Sequence, residues 1–140
     1  MKKSLIYWTS TGVFSMMMLF AGYNYLTNPQ MKAAFQHLGF PDYFRIELAV
    51  SKLLGAIVLL IPLRWKGIKY FGYAGFTIVL ISAAIAHLSS GDPLSVVIMP
   101  VTFFAILVIS FVSYNQKEAK DLESDSLSIN QSELKELWHH

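Results

Sequence analysis

No cysteine occurs anywhere in the 140 residues. That absence excludes disulfides, thiolate nucleophiles, cysteine-ligated zinc and iron–sulfur clusters. Any redox role would rest on a bound cofactor or on a partner's. Charge is also scarce. Charged residues make up 14% of the chain, against about 25% in a soluble domain. Hydrophobic residues make up 54%, and the mean hydropathy is +0.47. The few lysines and arginines are scattered at the ends of apolar runs, so no basic patch for nucleic acid is formed. No phosphate-cradling glycine loop, zinc-ligand spacing or catalytic triad is present. The sequence therefore points away from an enzyme acting by itself.

What is present in quantity is apolar sequence in lengths that match a bilayer. Four stretches stand out, at residues 5–26, 46–62, 68–88 and 94–114. Each is close to the roughly 20 residues needed to cross a hydrocarbon core. The second is short and carries Glu47 and Lys52, but the run from Leu53 to Leu63 sustains it. None alternates like a barrel strand, so helices follow. The fold class expected is all-α, a polytopic four-helix membrane bundle in one domain over residues 1–115. Met1-Lys2-Lys3 before an apolar run resembles a secretory leader, but the run exceeds the usual signal core and three more spans follow. An uncleaved first helix is the better reading. After Tyr114 the composition changes. Residues 116–140 carry three lysines and six acidic residues, and are expected to form a polar, mostly disordered tail, with a turn or two of helix near Ser132–Trp138. The terminal pair His139-His140 is too small a set to argue for a metal.

The connection between the first two spans carries its own punctuation. Asn28 can cap a helix, Pro29 suits its first position, Gly39 can close it and Pro41 stops it. Met31, Ala34, Phe35 and Leu38 recur at helical spacing. A short interfacial helix is predicted, with Phe35 and Leu38 facing the bundle and Lys32 and Gln36 facing water. In the third connection, Asp92 and Pro93 suit the N-cap and first position of the fourth helix. Pro100 falls inside that helix. Lys2, Lys3, Arg64, Lys66, Lys69, Lys117 and Lys120 fall on one side of a four-span protein, and Lys32 and Arg45 on the other. This bias places both termini in the cytoplasm of a bacterial cell, with the protein in its cytoplasmic (inner) membrane.

Polar residues gather toward the expected outer side. Asn24, Glu47, Lys52 and His87 are the candidate ligand-binding residues, with His37 and Asp92 in support. A lysine inside a span costs about 2.5–3.5 kcal/mol at the membrane centre. Two readings of Lys52 stand side by side. It either snorkels outward while Glu47 sits among headgroups, or it joins Glu47, His87 and Asn24 in one polar cluster roofed by the interfacial helix. Glu47 and Lys52 are five residues apart, so each needs a partner from another helix. His87 alone reads as a packing residue, and no second deep histidine exists for a haem. Tyr7, Trp8, Tyr23, Tyr25, Tyr43, Phe44, Trp65, Tyr70 and Tyr114 read as an interfacial aromatic belt. Gly72 and Gly75 offer small faces for close helix approach. Met16-Met17-Met18 reads as apolar bulk, not a copper site.

Several motifs occur together, in order. They are Phe35-x-His37-Leu38-Gly39-Phe40-Pro41, Lys52-Leu53-Leu54-Gly55 leading to Ile61-Pro62, Tyr73-Ala74-Gly75-Phe76, and Ala86-His87-Leu88-x-x-Gly91-Asp92-Pro93. This set resembles the DoxX-like family of small bacterial membrane proteins over roughly residues 5–114. The resemblance implies a four-helix membrane bundle. It also implies a link with quinone-reducing respiratory enzymes, after which the family is named, and it carries no settled catalytic residues. Three functions are compatible with the sequence. One is an accessory or quinone-like ligand-binding subunit of a membrane redox system. Another is a small solute carrier, which at this size would need a homodimer. The last is a structural partner of other membrane subunits. The cofactor implied, if any, is a quinone; haem, zinc and iron–sulfur are not expected. The expected partners are membrane lipid, a second copy or other membrane subunits, with no nucleic acid.

Overall fold

The computed structural model describes residues 2–139, so Met1 and His140, the ends of the two expected segments, lie outside it. Five helices follow in order: α1 (Lys2–Thr27), α2 (Pro29–His37), α3 (Asp42–Leu60), α4 (Lys66–Ser89) and α5 (Leu94–Trp138). No strand occurs among the described residues.

The four long helices form a square. α1 packs on α3 and α5, and α4 packs on α3 and α5. The diagonal pair α1/α4 meets through long side chains. Phe14 of α1 meets Phe76 of α4 edge to face, with ring centres 5.0 Å apart. The buried faces recur at helical spacing. On α1 they are Tyr7, Thr11, Phe14, Ser15, Met18 and Gly22. On α4 they are Lys69, Tyr73, Phe76 and Leu80. Apolar side chains point outward all round, including Phe20, Phe71 and Leu94. A surface of that kind is suited to lipid.

α1, α4 and α5 are each long and apolar enough to cross a membrane. α3 has 19 residues and carries Asp42, Arg45, Glu47 and Lys52. Its rise is nonetheless about 28 Å at 1.5 Å per residue. It runs from the end of the bundle where α2 lies to the opposite end, where α4 begins, and so traverses the same thickness as its neighbours. The two ends are called here the α2 end and the terminal end.

The predicted signals around α2 hold. Asn28 Oδ1 accepts from the Gln30 amide at 3.0 Å and Pro29 opens the helix. Gly39 takes φ +82° and Gly91 φ +75° in the two connections at this end, a region where a Cβ is strained. Phe35 is buried against Tyr25, Phe40 and Phe44, while Lys32 and Gln36 are exposed.

Two expectations differ from the structure. Residues 116–138 continue α5 as helix, where a mostly disordered tail was expected. The chain has no glycine or proline after Pro100 to stop it. Lys117 pairs with Asp121 at 3.1 Å one turn on, and Ser124, Ser126, Ser128 and Ser132 bond back to carbonyls three residues earlier. From Ala119 on, this extension is fully exposed. Asp92 is also not the cap of α5. Pro93 occupies that position without a side-chain bond, and Asp92 is engaged elsewhere.

Close packing of α3 against α4 depends on Gly55. A Cβ there would lie 2.7 Å from the Phe76 ring, which is itself buried against Phe14. Gly55→Ala should therefore lower stability by about 1–3 kcal/mol. Thermal unfolding in detergent measures this, and Gly12→Ala, where a Cβ meets nothing within 4 Å, should show no such drop.

Candidate functional site

Two lysines lie inside the bundle, and the structure gives each a different environment. Lys52 is on the buried face of α3 with Ala49, Ala56 and Leu59, and is 7% exposed. Its ammonium lies 4.7 Å from the centre of the Tyr25 ring and 3.4 Å from the Tyr25 hydroxyl oxygen. No carboxylate pairs with it among the described residues. Beside it a groove of about 400 Å³ runs between α3 and α4. Lys52 and Ser51 form its polar end, and Leu54, Val58, Phe71 and Val79 are among its apolar walls.

The glycines of α4 help to shape that groove. A Cβ at Gly75 would meet nothing within 4 Å, and Gly72 stands 3.4 Å from Val58 by the same measure. The small face read from the sequence as a helix contact is, at Gly75, open space.

The expected cluster of Asn24, Glu47, Lys52 and His87 is not brought together by hydrogen bonds. Asn24 donates to Phe20 O of its own helix at 2.9 Å. Glu47 is exposed and takes part in none of the side-chain hydrogen bonds or ion pairs of the described residues. Arg45, two residues before Glu47, binds the Asp42 carboxylate at 2.9 Å and the Tyr25 carbonyl. The helical offset of Glu47 from Ala49 and Lys52 turns it away from the buried face.

His87 has a different partner, and the supporting pair His37 and Asp92 provide it. Asp92 Oδ2 accepts from His87 Nδ1 at 2.6 Å, and Asp92 Oδ1 accepts from His37 Nε2 at 2.7 Å. One carboxylate thus ties the end of α2 to the end of α4. The hydrogen bonds from His87, then from His37, hold the Asp92 carboxyl below the usual carboxylate range. Arg45 does the same to Asp42, with Lys32 3.9 Å away. No group of three or more potential ligand residues is placed to hold a metal among the described residues.

The second buried lysine escaped the sequence reading, which only counted Lys69 among the basic residues of one side. It is 3% exposed and sits at the terminal end. Its ammonium donates to the Tyr7 hydroxyl at 2.6 Å and to the Leu59 carbonyl at 3.2 Å. The rings of Tyr7 and Tyr114 lie 5.3 Å away and that of Trp8 6.0 Å. Tyr7 and Tyr114, read as belt residues, are instead core. The signal was available, since Lys69, Tyr73, Phe76 and Leu80 share one helical face. Deeper in, Ser110 joins the Thr11 hydroxyl at 2.6 Å and the Tyr73 hydroxyl at 2.8 Å, linking α1, α5 and α4.

A lipid-facing square of apolar helices with paired polar groups inside defines an α-helical integral membrane protein. Within that class, the model of the DoxX-like family matches residues 9–110, most of the chain, and the protein belongs to this family. Neither a curated protein nor a solved structure matches it.

The His37–Asp92–His87 bridge predicts the behaviour of α2. A carboxyl whose folded pKa is lowered stabilises the fold above its ordinary value, 3.8, and that stabilisation is lost as pH falls through the lowered value. The bridge should thus persist through neutral pH and fail in strong acid. Asp92→Asn should mimic the acid state. Hydrogen exchange over residues 29–38 is expected to rise in that variant at neutral pH, and unchanged exchange would mean the bridge does not hold α2.

Proposed function

We propose that this DoxX-like protein binds a lipid-soluble molecule with a hydrogen-bond-accepting head, of the quinone kind, in the groove between α3 and α4. It would do so as an accessory or ligand-binding subunit of a membrane redox system. The observation that supports this reading is the state of Lys52. Its ammonium has three N–H donors, and one distant hydroxyl is its hydrogen-bond partner. The remaining donors border a long apolar groove. A quinone carbonyl at the lysine and an isoprenoid tail along Val58, Phe71 and Val79 would match both halves. Asn24, Glu47 and His87 stay outside the centre of this reading, with His37 and Asp92 fixing the helix that covers the α2 end.

Purified protein, extracted and analysed by mass spectrometry, should carry quinone. Loss of a hydrogen bond to a charged donor is worth about 1.5–3 kcal/mol, so Lys52→Met should weaken binding of a short-chain quinone about tenfold or more. Gly75→Leu should narrow the groove and reduce occupancy with little loss of thermal stability, because a Cβ there meets nothing within 4 Å and Gly75 lines the groove that receives the rest of the side chain. Equal quinone retention by all three proteins would exclude the groove as the site.

The terminal end is proposed to face the cytoplasm of a bacterial inner membrane, on the seven-to-two division of basic residues between the two sides. The absence of cysteine makes the test direct. In intact cells an impermeant thiol reagent should label Ser90→Cys and not Ser124→Cys, and the opposite pattern would invert the topology.

A further inference from the structure

At the terminal end a second cavity, of about 240 Å³, opens where α1, α4 and α5 meet the α3–α4 connection. Four cations border it: Arg64, Lys66, Lys69 and Lys117. One carboxylate, Glu118, is among them, and Lys66 pairs with it at 2.6 Å. Lys117 pairs with Asp121 at 3.1 Å. Arg64 and Lys69 have no carboxylate partner among the described residues. Lys69 is 97% buried, since 3% of it is exposed, and its two hydrogen bonds use two of its three donors. A neighbouring groove at the same end is bordered by Lys2, Lys3 and Lys120, with Glu123.

We propose that this cavity binds the phosphate of an anionic phospholipid headgroup, with Arg64 and Lys69 as its direct contacts. Three observations converge on that chemistry. The cavity holds a surplus of positive charge with one buried ammonium at its base. Its wall includes the exposed Trp8, which gives the glycerol region an amphipathic surface. Its height in the bundle is that of a headgroup layer, because Trp65 is exposed beside Arg64 and indoles settle at that level. Below this level the outer surface of α5 is apolar, with Val108 and Val112 exposed, so acyl chains can continue alongside. Basic pockets between membrane helices recognise such headgroups by the same means. A soluble phosphate shares the anion chemistry but would gain nothing from the apolar flank. The site lies at the opposite end of the bundle from α2 and is lined by different residues from the Lys52 groove, so the two readings stand or fall separately.

Native mass spectrometry of the full chain, with phosphatidylglycerol and phosphatidylcholine offered in equal amounts, tests this. Phosphatidylglycerol should be retained preferentially. One basic contact near a membrane surface corresponds to about a fivefold change in binding, so Arg64→Ser should cut the preference by about that factor. Arg64 is exposed, so this variant should keep the wild-type circular dichroism and melting temperature. Lys69→Gln should reduce the preference further, and Lys32→Ser, at the α2 end, should leave it unchanged. Equal retention of the two lipids would overturn the proposal, as would equal behaviour of Arg64→Ser and Lys32→Ser. Displacement of the lipid by excess inorganic phosphate would also overturn it, by showing the site to be one for a soluble anion.

Discussion

Across a hydrocarbon layer no water is available, so every buried polar group must be solvated by the protein itself. This constraint arranges the bundle. Backbone groups are satisfied within the helices. Most of the buried side-chain groups are joined between helices: Thr11, Ser110 and Tyr73 across α1, α5 and α4, and Lys69 with Tyr7 and a freed carbonyl at the end of α3; the Ser15 hydroxyl is the exception, buried without a partner among the described residues. The carbonyl of Leu59 is free to accept because it lies in the last turn of its helix. A lysine four residues into α4 therefore finds both a phenol and a helix end within reach. The diagonal of the square, too wide for backbone contact, is closed by these long polar side chains and by Phe14 on Phe76.

Measured against Lys69, Lys52 is the exception. Both lysines are nearly inaccessible and both lie near tyrosine rings. Lys69 has two hydrogen-bond acceptors, the closer at 2.6 Å; Lys52 has one, at 3.4 Å. Leu53 and Ala49 on the same helix are committed to the α1 contact, where a Cβ at Gly22 would come within 2.9 Å of Leu53. The lysine cannot turn further that way without breaking the packing. Its other side is the α3–α4 groove. A weakly bonded ammonium next to an open apolar groove is the feature on which the proposed ligand reading rests.

Much of the fold was legible in the sequence because its signals are local and periodic. Apolar runs of bilayer length gave the long helices, and Asn28, Pro29, Gly39 and Pro41 bounded α2 in the positions that the structure gives them. The site was less legible. Reading polar residues by depth alone grouped Asn24, Glu47, Lys52 and His87, yet depth does not say which way a side chain faces. Rotation about each helix axis decides that. Glu47 is two residues from the buried Ala49 and so points away; Lys69 is four from the buried Tyr73 and so points in. A count along each helix face separates the two. The His37–Asp92 contact, across 55 positions of sequence, has no such local signal. It depends on how the α2 connection folds back over the end of the bundle. The exposed extension of α5 failed in the other direction, because composition argued for disorder while the lack of any helix breaker left the helix free to continue.

The two ends of the molecule solve the same electrostatic problem with opposite means. At the α2 end most surface charges are closed against one another, with Glu47 the exception. Asp92 takes both histidines, Asp42 takes Arg45 with Lys32 nearby, and a surface helix lies over the result. At the terminal end cations outnumber carboxylates around the cavity, and Arg64 and Lys69 are left without one. A closed end needs no counterion from outside, whereas an open one at headgroup level takes it from the solvent or from the bilayer. The asymmetry also bears on how the protein sits. Unpaired cations gain from an anionic leaflet and lose on crossing it, so the charge bias from which a cytoplasmic terminal end is proposed and the cation surplus around the cavity are the same physical property. The residues on which the proposed topology rests are in this way also those proposed to hold a lipid.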